Sequence, residues 1–84
     1  MKKAKLLQKM LSHSKNVKFS DATACAEAFG FRLSRINGSH HIFVHPEIDE
    51  LLNLQDVKGK AKTYQIKQFL QLIEQYNLKM KGDK

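Results

Sequence analysis

Residues 37–46, which read Asn-Gly-Ser-His-His-Ile-Phe-Val-His-Pro, constrain the fold more than any other part of the chain. The opening Asn-Gly pair predicts a tight turn, because both residues tolerate positive φ. The apolar run 42–44 then predicts a strand, and Pro46 ends it because proline has no N–H to donate to a neighbouring strand. His40 therefore starts a strand just after a tight turn, where its side chain is held firmly and its tip is exposed.

Alternating apolar and polar residues predict strands on both sides of this turn. The three predicted strands are residues 31–36, about 40–45, and 51–57, with residues 47–50 as an acidic loop. In the first strand Phe31 and Leu33 share one face, while Arg32 and Ser34 share the other. In the third strand Leu52 and Leu54 alternate with Asn53 and Gln55. The links between strands have hairpin lengths, so we expect an antiparallel sheet.

Apolar residues at helical spacing predict one helix before the three strands and one after them. Ser20 is expected to cap a helix that Gly30 ends, with Asp21 at the positive end of the helix dipole. Thr63 is expected to cap a last helix, from about residue 64 to residue 77. The buried stripe of that helix is predicted to comprise Ile66, Phe69, Leu70, Ile73 and Tyr76.

Another helix is predicted near the start of the chain, where Ala4, Leu7 and Leu11 recur at helical spacing and lysines fill the other face. A membrane-surface helix is the alternative, but the segment is short and has no aromatic anchor. We expect residues 1–16 to form a helical extension and residues 17–84 to form one domain. Its fold class is α+β, a three-stranded antiparallel sheet with helices on one face.

Eighty-four residues correspond to one small domain. The single cysteine, Cys25, excludes an internal disulfide and fits a reducing compartment. No apolar run is long enough to span a membrane, and the pattern after Met1 is amphipathic rather than that of a signal peptide. These features predict a cytoplasmic protein.

Charge narrows the range of partners. Fifteen Lys and Arg residues against eight Asp and Glu residues give a net charge of +7. A small chain with this charge favours polyanions, of which nucleic acid is the commonest. An acidic protein partner is the alternative, and charge alone does not separate the two.

The motifs described so far resemble those of the HicA toxin family. The resemblance is carried by Gly38-Ser39-His40-x-x-Phe43, by His45-Pro46, by the helix ending at Gly30-Phe31, and by Ile66-x-x-Phe69-Leu70 in the last helix. It covers about residues 17–78. Two features depart from the family pattern: residues 1–16 lie outside it, and Lys-Gly-Lys-Ala-Lys-Thr at 58–63 replaces the usual Pro-Lys-Gly-Thr before the last helix.

The resemblance implies a fold like the double-stranded-RNA-binding domain. It also implies the function of an mRNA interferase, the RNA-cleaving toxin of a type II toxin–antitoxin system, which a HicB antitoxin holds inactive. The family's catalytic histidine falls on His40. Because the lysine-rich segment departs from the family pattern, we assign no catalytic role to any lysine.

Histidine suits the chemistry that metal-independent RNA cleavage requires. One group must take a proton from a 2′-hydroxyl or position a water, and one must protonate the leaving oxygen. A pKa near neutrality allows histidine to do either. His40 is the candidate, as base or as acid, and would share the work with a lysine, a water or the substrate's own phosphate.

Polar and basic residues near His40 are expected to hold the RNA backbone. The predicted RNA-binding residues are Arg32, Arg35, Ser39, Lys58, Lys60 and Lys62. The three lysines precede a helix N-terminus, whose free N–H groups also attract anions. Shape and backbone contacts, rather than base sequence, are expected to dominate recognition.

Structural interpretations compete at each histidine. His40 could be an ordinary turn residue, and both faces of its strand carry apolar side chains, so alternation does not show which face is buried. The resemblance implies that Phe43 faces inward, which turns His40 outward and makes His41 a structural residue. His41 and His45 share a face but lie about 13 Å apart at strand rise, so we expect no metal site and no cofactor.

Three hypotheses about function are compatible with these residues. The first is a HicA-like endoribonuclease that acts through His40. The second is an inactive module of the same fold that binds RNA or a HicB-like protein without cutting. The third is an interaction protein whose basic surface binds an acidic partner. Tyr64 and Tyr76 are expected at the edge of the core rather than as platforms for RNA bases.

Overall fold

The structure, a computed structural model, describes residues 17–80, so the predicted N-terminal helix lies outside the described residues. The chain forms α1 (Phe19–Ala28), β1 (Arg32–Asn37), β2 (His40–His45), β3 (Ile48–Val57), β4 (Lys60–Ala61) and α2 (Thr63–Tyr76). The α+β class, the antiparallel sheet and the framing helices are therefore confirmed. None of the helices in residues 17–80 is long and apolar enough to cross a membrane.

The sheet has four strands rather than three, in the order β1-β2-β3-β4. The fourth strand follows a tight turn at Lys58 and Gly59, whose φ angles are 53° and 84°. Positive φ at both central residues is typical of the hairpin turn that matches strand twist. This turn could not be predicted from the residue types, because lysine rarely occupies the first central position.

The predicted acidic loop is wrong, because β3 already begins at Ile48, which pairs with His45. Only Pro46 and Glu47 form the turn between the two strands. The buried ring of His45 stabilises this short connection: its Nδ1 accepts a hydrogen bond from the Glu47 N–H at 3.1 Å.

Both described helices pack on one face of the sheet, here called the inner face. Phe43, Leu52 and Leu54 point from the strands into this layer and are at most 1% exposed. From the helices, the largest contributions come from Ile66 and Phe69, both fully buried. Burying aromatic and aliphatic side chains of this size contributes about 1.5–3 kcal/mol each, so the inner face holds the domain together.

The first helix begins differently from the prediction, since its N-cap is Lys18 rather than Ser20. The backbone of Lys18 forms an isolated antiparallel β-bridge with that of Lys60. The Phe19 N–H donates to the Gly59 carbonyl at 2.8 Å. A backbone carbonyl of the β3–β4 turn therefore satisfies a free N–H of the first helical turn, a task that a capping side chain usually performs.

The last helix also departs from the prediction at both ends. Thr63 is its first residue rather than its cap, and Lys62 is the N-cap. Tyr76, expected in the buried stripe, is 38% exposed and donates a hydrogen bond to the Glu50 carboxylate. Leu72 is buried instead, and Tyr76, the last residue of the helix, bonds to Glu50 rather than packing in the core.

Cys25 offers a direct test of this packing. Its side chain is 0% exposed, and burial raises the pKa of the thiol from 9.0 to about 11. Native Cys25 should therefore resist a maleimide at pH 8, whereas the urea-unfolded chain should be labelled rapidly at this single thiol. Because the folded thiol keeps its proton longer than the unfolded one, this group's contribution to stability should fall between about pH 9 and 11. Equal labelling rates with and without urea would contradict the structure.

Candidate functional site

The face of the sheet opposite the helices, here called the outer face, is not covered by any helix within residues 17–80. Strand pairing shows which residues lie on it, because directly opposite residues point to the same side. The partners Asn37–His40, His40–Gln55 and Ile42–Asn53 alternate with inward pairs such as Phe43–Leu52. His40 therefore lies on the outer face, in the row between Asn37 and Gln55.

The His40 ring is half-buried and makes a specific hydrogen bond. Its Nδ1 lies 3.2 Å from Oδ1 of Asn53, on the neighbouring strand. An amide oxygen only accepts hydrogen bonds, so Nδ1 carries the hydrogen and Nε2 of the neutral ring keeps its lone pair. The ring is thus fixed in one orientation with an available nitrogen, an arrangement suited to removing a proton from a bound molecule.

A bulge in β1 brings both predicted arginines to the outer face. Register shifts between Leu33 and Arg35, so Arg32 pairs with Val44 and Arg35 pairs with Ile42. The extra residue, Ser34, has no partner in the ladder. Regular alternation would have placed the two arginines on opposite faces, whereas the bulge places both beside the strand that carries His40.

The predicted lysines are not all brought to one place. Lys60 pairs with Val57 and shares the outer face with it, whereas Lys58 occupies the tip of the β3–β4 turn. The Nζ of Lys62 lies 5.9 Å from the ring centroid of Tyr64, at the start of α2. Ser39 is exposed in the β1–β2 turn, and its carbonyl is occupied by hydrogen bonds from the Asp56 N–H and from His41 Nδ1.

The other two histidines of the motif face inward and have structural partners. His41 contacts the ring of Phe19 edge-on, with 4.6 Å between centroids. His45 is 6% exposed and donates from Nε2 to the Phe29 carbonyl at 3.0 Å. Within residues 17–80, no three His, Cys, Asp or Glu side chains form a group that could hold a metal ion.

Two polar residues were not singled out by the sequence. Asn53 bonds to the His40 ring. It lies on the face of β3 that Leu52 and Leu54 leave free, and this alternation is the signal that could have identified it. Gln65 is 1% exposed on α2, where its Oε1 accepts from the Gln55 N–H at 2.6 Å and its Nε2 donates to the Tyr64 hydroxyl at 3.4 Å. Tyr64 itself is 61% exposed, so its expected place at the core edge is wrong.

A family model matches most of the chain. The family model described as the HicA toxin of bacterial toxin–antitoxin systems matches residues 19–77, which include the two helices and four strands described above and the outer face. No curated protein and no solved structure matched the chain. HicA toxins generally cut RNA and are paired with HicB antitoxins. The extent of the match, together with the fold, shows that this chain belongs to the HicA toxin family.

Proposed function

We propose that this chain is a metal-independent mRNA endoribonuclease in which His40 acts as general acid or base. The observation that carries the proposal is the hydrogen bond from His40 Nδ1 to Asn53 Oδ1. It leaves Nε2 available on a sheet face that the described helices leave uncovered.

The chemistry follows from which ring nitrogen carries the hydrogen: Nδ1 donates to Asn53, and Nε2 can accept a proton. Nε2 takes the proton of a ribose 2′-hydroxyl, and the 2′-oxygen attacks the adjacent phosphorus. The bond from phosphorus to the 5′-oxygen breaks, and that oxygen takes a proton from the protonated ring or from water. The products are a 2′,3′-cyclic phosphate and a free 5′-hydroxyl.

Positive charge on the outer face holds the backbone. Arg32 and Arg35 lie on one side of the His40 strand, and Lys60 lies on the outer face at the other side. The further expected contacts are Lys58 at the β3–β4 turn, Lys62 at the start of α2 and Ser39 beside His40. Guanidinium groups bind phosphate oxygens in pairs, which positions the scissile phosphate as well as attracting it. Contacts of this kind do not read base sequence.

Membership of the HicA family supports an expectation for the partner and the compartment. A HicB-like antitoxin is expected to hold the chain inactive in the cytoplasm by covering the outer face. An inactive module that binds RNA or HicB without cutting is the remaining alternative, and it predicts binding with no products.

Cleavage in the presence of a chelator tests the proposal. Purified chain incubated with an mRNA transcript in excess EDTA should yield the same fragments at the same rate as without EDTA. The fragments should carry 2′,3′-cyclic phosphate ends, which resist ligation until the phosphate is removed. Loss of cleavage in EDTA, restored by added divalent ion, would contradict the metal-independent mechanism. Binding without fragments would instead favour the inactive module.

A further inference from the structure

A cleft of about 650 Å³ lies beside the start of α2, next to the outer face. Val57 and Ala61 provide apolar lining, and Tyr64 contributes an aromatic ring. Lys62 and Lys67 add positive charge. The volume is in the range of small-ligand sites, and the mixture of aromatic, apolar and cationic groups fits a nucleotide better than a purely apolar ligand.

Tyr64 is exposed, and its hydroxyl has a hydrogen-bond partner. It is 61% exposed, but its hydroxyl accepts a hydrogen bond from the buried amide of Gln65. The other end of the same amide accepts from the Gln55 N–H, on β3. A buried polar side chain therefore connects the ring to the strand next to His40. A large aromatic face held in this way loses little conformational entropy when a flat ligand stacks on it.

The charges around the ring match a phosphate-bearing ligand. The Nζ of Lys62 lies 5.9 Å from the Tyr64 ring centroid, and Lys67 lines the same cleft from the next turn of the helix. Proteins that bind single-stranded nucleic acid combine aromatic rings, on which bases stack, with cations that follow the backbone.

The cleft is connected to the strand beside His40 through Gln55 and Gln65. Gln55 pairs directly with His40, at a strand spacing of about 4.8 Å, and the Gln65 side chain spans from Gln55 to Tyr64. A single strand of RNA crossing the outer face from the arginines past His40 would reach this cleft with a nucleotide beside the cleaved one.

We propose that this cleft is a nucleotide subsite for single-stranded RNA, in which a base stacks on Tyr64 and its phosphate contacts Lys62 and Lys67. The subsite rests on the proposed function, because it supposes that RNA is the substrate. It adds a preference for unpaired RNA, since a base within a duplex cannot stack on a side chain.

Binding of two matched oligonucleotides tests the subsite. In a His40→Ala background, which slows cleavage, fluorescence anisotropy would compare a short single-stranded RNA with an abasic oligonucleotide of equal length and charge. Tyr64→Ala should weaken RNA binding about 10-fold and leave abasic binding unchanged, whereas Tyr64→Phe should preserve both. Lys67→Gln should weaken both ligands and reduce the salt slope by about 0.7.

The second exposed tyrosine provides the control. Tyr76→Ala, at the other end of α2, should leave both affinities unchanged. An equal effect of Tyr64→Ala on the two oligonucleotides would overturn the subsite while leaving the nuclease intact. Failure of the His40→Ala chain to bind any RNA, together with failure of the unsubstituted chain to cut it, would overturn both proposals.

Discussion

His40→Ala should lower the rate of RNA cleavage by about 100-fold or more, because positioned acid–base groups contribute about 10²–10⁴-fold. The residual rate would come from the arginines and lysines that we propose hold the phosphate. RNA affinity should change little, since His40 supplies a proton acceptor rather than charge. Single-turnover cleavage of a labelled RNA, with binding measured separately, would check both parts.

The hydrogen bond from His40 to Asn53 predicts different effects on cleavage for two substitutions of Asn53. Asn53→Ala removes the acceptor at Nδ1 and should lower the cleavage rate roughly 10-fold, the equivalent of one hydrogen bond. Asn53→Asp places a carboxylate at the same atom and stabilises the protonated ring, so the pH–rate profile should move to higher pH. A merely structural role for Asn53 would leave the profile in place.

His41→Asn is the matched control for this series. It replaces the adjacent histidine, which faces inward, and keeps a donor for the Ser39 carbonyl. Cleavage per folded molecule should remain close to that of the unsubstituted chain. Should His41→Asn abolish cleavage while His40→Ala leaves it unchanged, the two histidines would have the opposite roles.

The largest stability effect is expected at the buried histidine of the motif. His45→Ala removes hydrogen bonds to the Phe29 carbonyl and from the Glu47 N–H, and it removes the edge-on contact with Phe31, whose centroid is 5.0 Å away. Unpaired buried polar groups and the cavity together should cost about 2–4 kcal/mol. For a domain of this size, Tm should fall by about 10 °C or more.

His45→Asn distinguishes hydrogen bonding from packing. The shorter amide can accept from the Glu47 N–H but cannot reach the Phe29 carbonyl, so about half of the stability should return. Thermal unfolding followed by circular dichroism would measure all three chains. A Tm for His45→Ala within a degree or two of the unsubstituted value would show that the buried ring is not required.

The positions that were predicted well from the sequence depend on local rules. The Asn-Gly turn, the strand after it and the buried Phe43 follow from φ preferences, β propensity and alternation, aided by the family motif. The outward direction of His40 was predicted from the family resemblance alone, because alternation did not show which face of its strand is buried. Helix α2 was predicted to within a residue at each end, because its apolar spacing is regular.

The positions that were missed depend on contacts between distant residues. Alternation could not reveal that Ser34 is an extra residue, since a bulge is defined by its partner strand. Nor could it show that Asn53 holds His40, or that Gln65 reaches Gln55, because each pair is formed by tertiary packing. The predicted N-cap of α1 was wrong for the same reason, because a carbonyl of the β3–β4 turn accepts the hydrogen bond that Ser20 was expected to accept.

The bulge at Ser34 affects how related chains should be compared. A relative that lacks this one residue would regain strict two-residue alternation and direct one of its two guanidinium groups to the inner face of the sheet. In a sequence alignment the two chains would look equally basic, yet their electrostatic surfaces would differ. Single-residue gaps in the first strand should therefore be treated as changes in the charge of the outer face rather than as neutral variation in length.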